Sequence, residues 1–416
     1  MSRSIRTIAI IGGGPAGSAL AFYLARAGLQ AVLFDRPARP PLVVGESLVP
    51  ATIPFLQDLG IEEEVRGYST FKPGATFVLG PDEVMQFEFS EVRGAKTSYS
   101  YNVPRDLLDA SIARVAEKSG ATVIRETASL ERTPGGDRIE LERETLDRAE
   151  DRFDGQPDLI VDASGRARTF GRLFDLPCES GSRNDTALFA HCEGIGLLNE
   201  GHVHTDLLEH GWSWRIPLPG RMSVGLVMDS EVIRSFGDSL EEQFDNYLKH
   251  DPAIARWGDA PSRLTRVLKY SNYQQVFQQG VGDGWVLVGD AFGFVDPVFS
   301  SGLLLAFDGA RELSRAILAG GTERRMKRYE RHVFNHIRAW QRTIDRFYDG
   351  RLFSLFRAGE EARETRPGKI LEVHFGRHLP RVFTGEATTR RYSVGLMQFM
   401  CRHGLLDNDP AELAIR

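Results

Sequence analysis

The chain has 416 residues, a formal net charge of −6 and 42% hydrophobic residues. This length favours two domains, or one domain with a large insertion. The mild negative charge argues against nucleic acid or anionic membranes as partners, and no apolar run is long enough to span a bilayer. Cys178, Cys192 and Cys401 are scattered without a CxxC pair, which suits a reducing cytoplasm and argues against a disulfide framework or zinc site.

A glycine-rich turn follows the first predicted strand, Thr7–Ile11, whose apolar run is too short for a signal peptide. The turn and the helix that it opens contain four small residues of a GxGxxG motif: Gly12, Gly14, Ala16 and Gly17. Residues 31–34 form a second predicted strand, and Asp35 ends it. Glycines at this spacing let a pyrophosphate approach the helix N-terminus, and the acid binds ribose hydroxyls. The pattern predicts an adenine dinucleotide site.

Further polar stretches indicate which dinucleotide binds. Glu46 and Ser47 lie in a GESLxP stretch, Arg105 opens a predicted helix, the strand Leu159–Asp162 precedes ASGR, and Asp290 follows another strand. This set resembles the FAD-binding monooxygenase-like flavoproteins. The resemblance implies that Glu46, Ser47, Arg105 and Asp290 bind FAD. Since no second GxGxxG is present, we expect reduced flavin to come from a separate NAD(P)H-dependent flavin reductase.

Between these stretches the pattern changes to short, alternating strands. They are predicted at 76–78, 85–89, 187–192, 212–217 and 222–228. The fold expected is α/β, with a mostly antiparallel substrate-domain sheet inserted into the nucleotide fold. A discontinuous FAD-binding domain would comprise 1–66, 100–175 and 280–330. The sheet would comprise 67–99 and 176–279, with a helical C-terminal cover at 331–416. The charged stretch 142–154 is predicted to be a solvated loop or hairpin tip.

The segment 289–302 predicts a tight turn between a strand at 285–288 and a helix that continues to about Leu318. Its sequence is GDAFGFVDPVFSSG. The amides of Ser300, Ser301 and Gly302 would then point out of a helix N-terminus, where partial positive charge favours an anion or an electron-rich ring edge.

Three motifs together narrow the family. Residues 211–217 form WxWxIP, Lys72 lies in FKPGA, and residues 294–302 read FxDPxxSxG. With GESLxP, the chain resembles the flavin-dependent halogenases over roughly residues 5 to 360. The resemblance implies a cytoplasmic oxidoreductase of antibiotic or other natural-product biosynthesis.

The same resemblance implies the chemistry. Reduced FAD, O2 and chloride or bromide would give hypohalous acid, with the halide held by the amides of Ser301 and Gly302. Lys72 would pass the halogen to an electron-rich ring, either as an ammonium that polarises the acid or as a haloamine. Trp212 and Trp214 would separate the organic substrate from the flavin. Two tryptophans on one strand face could equally be ordinary core residues.

Phe299 narrows the substrate class. Tryptophan halogenases have a glutamate there and GEA rather than GES, so the chain resembles the branch acting on phenols or pyrroles, free or tethered to an acyl or peptidyl carrier protein. An aromatic monooxygenase and a geranylgeranyl-reductase-like flavoprotein are the alternatives. His202 and His204 lack further ligands at fitting spacing, so we expect no metal. The remaining histidines and the charged run 324–331 are expected to be solvated.

Overall fold

The computed structural model describes residues 5–38, 42–133, 138–150, 152–181, 183–258, 261–271, 274–363 and 378–415. Part of the predicted C-terminal cover, 364–377, and residue 151 of the predicted charged loop lie outside these ranges. None of the helices within them combines the length and the apolar composition needed to cross a bilayer.

The strands are β1 (Thr7–Ile11), β2 (Gln30–Phe34), β3 (Thr70–Lys72), β4 (Gly74–Val78), β5 (Val84–Glu88), β6 (Ser100–Asn102), β7 (Thr122–Ile124), β8 (Leu130–Arg132), β9 (Ile139–Leu141), β10 (Leu159–Asp162), β11 (Cys178–Ser180), β12 (Asp185–Glu193), β13 (Val203–Leu208), β14 (Gly211–Leu218), β15 (Arg221–Asp229), β16 (Ser262–Arg263), β17 (Leu268–Ser271), β18 (Gln275–Phe277), β19 (Val281–Gly282), β20 (Trp285–Leu287) and β21 (Gly293–Phe294). The helices are α1 (Pro15–Arg26), α2 (Ile53–Asp58), α3 (Glu62–Tyr68), α4 (Arg105–Lys118), α5 (Arg143–Arg148), α6 (Thr169–Leu173), α7 (Ser230–Arg234), α8 (Leu240–His250), α9 (Gly302–Leu318), α10 (Glu323–Tyr348), α11 (Arg351–Arg363), α12 (Pro380–Phe383) and α13 (Arg391–His403).

A six-stranded sheet forms the nucleotide fold, in the order β19-β20-β10-β1-β2-β7. Its strands pair in parallel except for β19 with β20. The central strand, β1, has a buried apolar run because α1 packs between the sheet and the helices α4 and α9. The glycine turn and the start of α9 therefore lie at the carboxyl edge of this sheet, where such folds bind nucleotides.

The second sheet has eight strands, in the order β16-β12-β15-β14-β13-β4-β5 with β17 paired to β12. Every pair is antiparallel except β13 with β4. The predicted α/β class and the inserted, mostly antiparallel sheet are confirmed. The exact domain boundaries stay a prediction.

The C-terminal helices form the predicted cover. The long helix α10 packs against α9, α11 and α13, and its buried side chains include Trp340 and Phe347. The prediction of a solvated loop at 142–154 was wrong for part of that stretch, because α5 forms there. Thr145 of α5 is buried, and its hydroxyl accepts a hydrogen bond from the Ser129 amide at 2.8 Å. This contact fixes the short helix against the preceding hairpin.

Candidate active site

A cavity lies between the two sheets, at the carboxyl edge of the nucleotide fold. It brings together most of the residues predicted from the sequence: Gly14, Ala16, Ser47, Arg105, Trp212, Trp214, Asp290, Ser301 and Gly302. The other predicted residues do not line it, and they are Gly12, Gly17, Asp35, Glu46, Lys72 and Phe299. These residues support the walls of the cavity or lie behind them.

The glycines of the turn have different structural roles. A Cβ atom on Gly12 would lie 2.4 Å from the carbonyl oxygen of Ala163, and one on Gly17 would lie 2.0 Å from the carbonyl oxygen of Gly12. Both glycines therefore allow close backbone packing. A Cβ on Gly14 would meet no atom within 4 Å, because Gly14 faces the cavity. Asp35 is buried beside the turn and accepts a hydrogen bond from the Gly13 amide at 3.2 Å.

Charged groups surround the middle of the cavity. Burial raises the pKa of Asp290, and the cations Arg166, Arg105 and Arg168 oppose that rise. Arg105 forms an ion pair with Asp109 at 3.0 Å and donates to the carbonyl oxygen of Val44 at 2.5 Å. The Arg105 guanidinium is thus fixed against the 42–48 loop while remaining exposed to the cavity.

The 42–48 loop has two polar faces. Ser47 faces the cavity, whereas the buried carboxylate of Glu46 hydrogen-bonds to His191 Nε2, 2.9 Å from Oε1. His191 is itself buried, so the prediction that the remaining histidines are solvated was wrong for this residue. Its position on β12, in the second sheet, could not be paired with Glu46 from sequence spacing.

Lys72 lies behind Ser47, at the end of β3. Its side chain is buried, and Nζ donates to Ser47 Oγ and to the carbonyl oxygen of Leu48, both at 2.8 Å. Burial lowers the pKa of Lys72 to about 7. Among the described residues no nearby carboxylate opposes that shift. Ser47, which holds this amine, lines the cavity, whereas Lys72 itself does not.

The start of α9 forms the opposite wall. Ser301 occupies the position before the helix, and its buried hydroxyl has no hydrogen-bond partner within the described part of the chain. Ser300 has a positive φ of 55°. A Cβ on Gly302 would meet no atom within 4 Å. The Ser300 amide, which was expected to point out of the helix end, instead donates to the carbonyl oxygen of Pro297 at 2.9 Å. The first-turn amides of α9, the unpaired Ser301 hydroxyl and this open space together fit an anion or a polar ring edge.

Both tryptophans of β14 line the cavity and are also buried, so the two interpretations of them are compatible. Their ring centroids lie 5.9 Å apart. Trp212 Nε1 donates to the Tyr348 hydroxyl at 2.9 Å, and Trp214 Nε1 donates to Ser223 Oγ at 3.3 Å. A Cβ on Gly225 would lie 2.1 Å from the Trp214 ring, so glycine leaves room for that indole.

Phe299 points away from the cavity into an aromatic cluster. Its ring centroid lies 5.4 to 6.4 Å from those of four other rings: Phe77, Trp340, Phe347 and Phe383. These rings come from the second sheet and from helices of the C-terminal cover. The role of Phe299 beside a substrate stays a prediction.

Sequence reasoning did not single out several residues of the cavity. Tyr270 lines it, with the Arg166 guanidinium carbon 3.1 Å from the ring centroid. Asp296 belongs to the FxDPxxSxG motif and also lines the cavity, but its partner was not indicated by the sequence: it accepts from the Tyr348 hydroxyl at 2.7 Å. Arg166 belongs to the ASGR stretch after β10, which was a usable signal. Tyr348 had none, because its contact depends on how α10 packs.

This site fits FAD. The glycine turn, the open face of Gly14 and the buried Asp35 suit an adenine dinucleotide, while the wide cavity beside α9 suits a flavin ring. Fold and site together define an FAD-binding flavoprotein of the monooxygenase-like architecture.

The comparisons with known proteins specify the family. A family model described as tryptophan halogenase matches residues 7–96 and 82–351. A 1H-pyrrole-2-carbonyl-[peptidyl-carrier protein] chlorinase from Pseudomonas fluorescens is 29% identical, over 84% of this chain and 85% of its own length. A flavin-dependent halogenase from Armillaria mellea is 30% identical, over 75% of this chain and 67% of its own length.

Solved structures agree with these matches. The myxobacterial chondrochloren halogenase, described as a variant of FAD-dependent halogenases, has a TM-score of 0.72 at 26% identity, covering 100% of both chains. A flavin-dependent brominase has a TM-score of 0.77 at 20% identity, covering 96% of this chain and 98% of its own, which shows a shared fold. The chain belongs to the tryptophan halogenase family and is a flavin-dependent halogenase, an oxidoreductase that uses FAD and a halide.

Proposed function

We propose that this enzyme halogenates an electron-rich aromatic ring, a phenol or a pyrrole, through Lys72, in a natural-product pathway. The observation that carries the proposal is the buried Lys72 amine, held by Ser47 and Leu48 directly behind the wall of the flavin cavity. Bound reduced FAD supplies the oxidising chemistry, which converts O2 and halide into hypohalous acid. The chain's own residues bind the halide, direct the oxidant and exclude other reactions.

Ser301 and Gly302 are proposed to hold the halide. Their amides lie at the N-terminus of a long helix, α9, where the helix dipole favours an anion. The unpaired Ser301 hydroxyl offers a further donor in the same wall. A halide bound there would face the cavity side of the helix end, because Ser300, Ser301 and Gly302 all line it.

The properties of Lys72 suit halogen transfer. Since its pKa is about 7, ammonium and neutral amine both occur near neutral pH. An ammonium has three N–H donors, of which two are used by Ser47 and Leu48, so one remains to polarise hypohalous acid. A neutral amine has a lone pair that can take the halogen itself. Both forms place the electrophile on the Lys72 side of the 42–48 loop.

Trp212 and Trp214 are proposed to keep the organic ring away from the flavin. Their indoles are fixed by hydrogen bonds to Tyr348 and Ser223, so they form a rigid wall of the cavity. An aromatic substrate held behind this wall cannot take an oxygen atom directly. The arrangement favours halogenation over the alternative of aromatic hydroxylation.

Phe299 supports the proposed substrate class. It packs among aromatic rings, where an ionised base would be costly to bury. A phenol or pyrrole is already activated and needs no carboxylate to assist electrophilic attack. The relative from Pseudomonas fluorescens, named for a carrier-bound pyrrole, supports a carrier-protein thioester as one form of substrate. Reduced flavin is proposed to come from a separate NAD(P)H-dependent reductase.

The test is a product assay. FAD-loaded enzyme is incubated with a flavin reductase, NADH and bromide or chloride. Phenols, free pyrroles and pyrrolyl-carrier proteins are supplied as substrates, and the masses of the products are measured by mass spectrometry. We expect a product in which halogen replaces hydrogen, with one of these classes strongly preferred. A product that gains oxygen and no halogen would instead identify hydroxylation. Free tryptophan serves as the comparison substrate, and its preferential halogenation would contradict the proposed substrate class.

A further inference from the structure

A second cluster of ligating side chains lies on the other side of α9, away from the flavin cavity. Asp308 of α9 faces His332 and His336, which are one helical turn apart on α10. His332 Nε2 lies 2.7 Å and His336 Nδ1 lies 3.0 Å from the same oxygen, Asp308 Oδ2. The three ligand atoms all lie within 4.8 Å of one another.

The protonation of His336 is set by its other neighbour. Thr388 Oγ1 donates its single hydrogen to the carbonyl oxygen of Gly385 at 2.8 Å. It therefore accepts from His336 Nε2, 3.0 Å away, and the proton of a neutral His336 lies on Nε2. Nδ1 then presents a lone pair to the Asp308 carboxylate. A nitrogen lone pair and a carboxylate oxygen that face each other at this distance can bind one metal ion together.

The geometry also suits a metal. Two ligands each about 2.1 Å from a tetrahedral zinc ion lie roughly 3.4 Å apart, which small side-chain rotations reach from the present distances. The hydrogen bond that His336 Nε2 donates to Thr388 Oγ1 orients the imidazole, as outer-shell partners of metal ligands commonly do. Arg311 Nη2 lies 3.5 Å from the other oxygen, Asp308 Oδ1, and leaves Oδ2 to the histidines.

The cluster is accessible, although it is largely buried. Asp308 and His336 line one surface cavity, and His332 lines another. His332 is one-third exposed, whereas His336 is 3% exposed. An ion can therefore enter, and a water molecule can complete its coordination from the His332 side. His336 is a further case in which the prediction of solvated histidines was wrong.

We propose that Asp308, His332 and His336 form a structural zinc site, with water as the fourth ligand. The ion would join α9 to α10 and, through Thr388, to the segment after α12. Asp308 lies only six residues, about 9 Å, along the helix from Gly302, so the ion would fix the helix that starts at the flavin cavity.

From the sequence we expected no metal. The HxxxH spacing at 332 and 336 places both histidines on one face of a helix, and a solvated face has the same pattern. The third ligand comes from a different helix, so the complete set appears only when α9 and α10 pack together.

The test uses FAD-loaded enzyme treated with a chelator and then dialysed. Zinc chloride is titrated in calorimetrically, and cobalt chloride is added separately to record the visible absorption of the bound ion. We expect one equivalent of zinc, a tetrahedral cobalt spectrum and a rise in Tm with zinc. His332→Ala, at a partly exposed position, should weaken zinc binding at least about 100-fold, since even changes to outer ligands cost about 10–100-fold. Asp308→Asn should weaken it as well.

His403→Ala is the matched control, because His403 is exposed on α13 and outside the cluster. It should leave the zinc affinity unchanged. The proposal would be overturned if the enzyme binds no zinc, or if His332→Ala and Asp308→Asn leave zinc binding unchanged. Asp308 and the two histidines would then form only a hydrogen-bonded cluster. Neither result depends on halogenation, so the zinc site and the proposed reaction stand or fall separately.

Discussion

The hydroxyl of Tyr348 joins Asp296 to Trp212. It donates to Asp296 Oδ2 at 2.7 Å and accepts from Trp212 Nε1 at 2.9 Å. Tyr348 is the last residue of α10, so the C-terminal cover is attached by one side chain to both walls of the flavin cavity. This single contact connects the loop before α9 with the tryptophan strand.

We therefore expect Tyr348→Phe to lower the free energy of unfolding by about 1–3 kcal/mol, because it leaves two buried polar groups without their shared partner. We also expect poorer coupling, measured as more hydrogen peroxide released per halogenated product. Tyr23→Phe is the matched control, since the buried Tyr23 hydroxyl has no partner among the described residues. Equal stability of the two variants would show that the contact contributes nothing.

The shifted pKa of Asp296 predicts how the free energy of unfolding depends on pH. Burial raises its pKa from 3.8 to about 6, against the hydrogen bonds from Tyr348, Val298 and Gln274. Because the folded-state pKa lies above the unfolded value, its stabilising contribution is complete below about pH 4 and is lost as pH rises through about 6. The loss is at most about 1.4 kcal/mol per pH unit. Denaturant unfolding at several pH values should show this component in the wild type and not in Asp296→Asn.

Lys72→Met should reduce halogenation to background while FAD binding and NADH-driven peroxide release continue, because Met fills the buried site without an amine. Lys249→Met, at an exposed position of α8, is the control and should be fully active. In the wild type, the halogenation rate should have an inflection near pH 7. A rate that rises with pH indicates the haloamine route, and one that falls indicates the ammonium. A Lys72→Met enzyme that still halogenates would exclude both routes.

The variant Gly302→Ala should weaken cofactor and halide binding without destabilising the fold. Its new methyl group would meet no protein atom within 4 Å, and alanine at this helix start should be neutral or stabilise by up to about 1 kcal/mol. The methyl group would nevertheless project into the space proposed for flavin and halide. We expect a higher halide KM and weaker FAD binding, measured by kinetics and flavin fluorescence.

Gly395→Ala is the matched control, since Gly395 lies within α13 and also has open space around it. It should gain stability without any change in FAD or halide binding. Unchanged binding in Gly302→Ala as well would argue against the placement of the halide at this helix end.

The elements that could be predicted are those determined by local sequence. The glycine turn after β1, the start of α9 and the alternating strands all carry their own signals, since turns and short periodic runs depend on neighbouring residues. The helix α5 was missed because its charged residues suggested a solvated loop. Its single buried hydroxyl, on Thr145, has no distinctive pattern.

What could not be predicted are contacts between distant elements. Glu46 with His191, Asp296 with Tyr348 and the Asp308 cluster each join segments far apart in the chain. No spacing in the sequence links Glu46 to His191, Asp296 to Tyr348 or Asp308 to its two histidines, because the packing of distant elements sets these distances. The motifs predicted where the cavity lies, whereas the polar contacts that hold it in shape required the structure.

The position of Ser47 has a consequence for the order of events in the proposed reaction. One face of this serine belongs to the flavin cavity, while its hydroxyl holds the Lys72 amine on the other. If hypohalous acid passes from the cavity to Lys72 as proposed, Ser47 would lie on its path, and a molecule of two heavy atoms would need a far smaller opening there than an aromatic ring. Selectivity would then begin at this serine, before the substrate is recognised, and a bulkier residue at position 47 would uncouple oxidant production from its use.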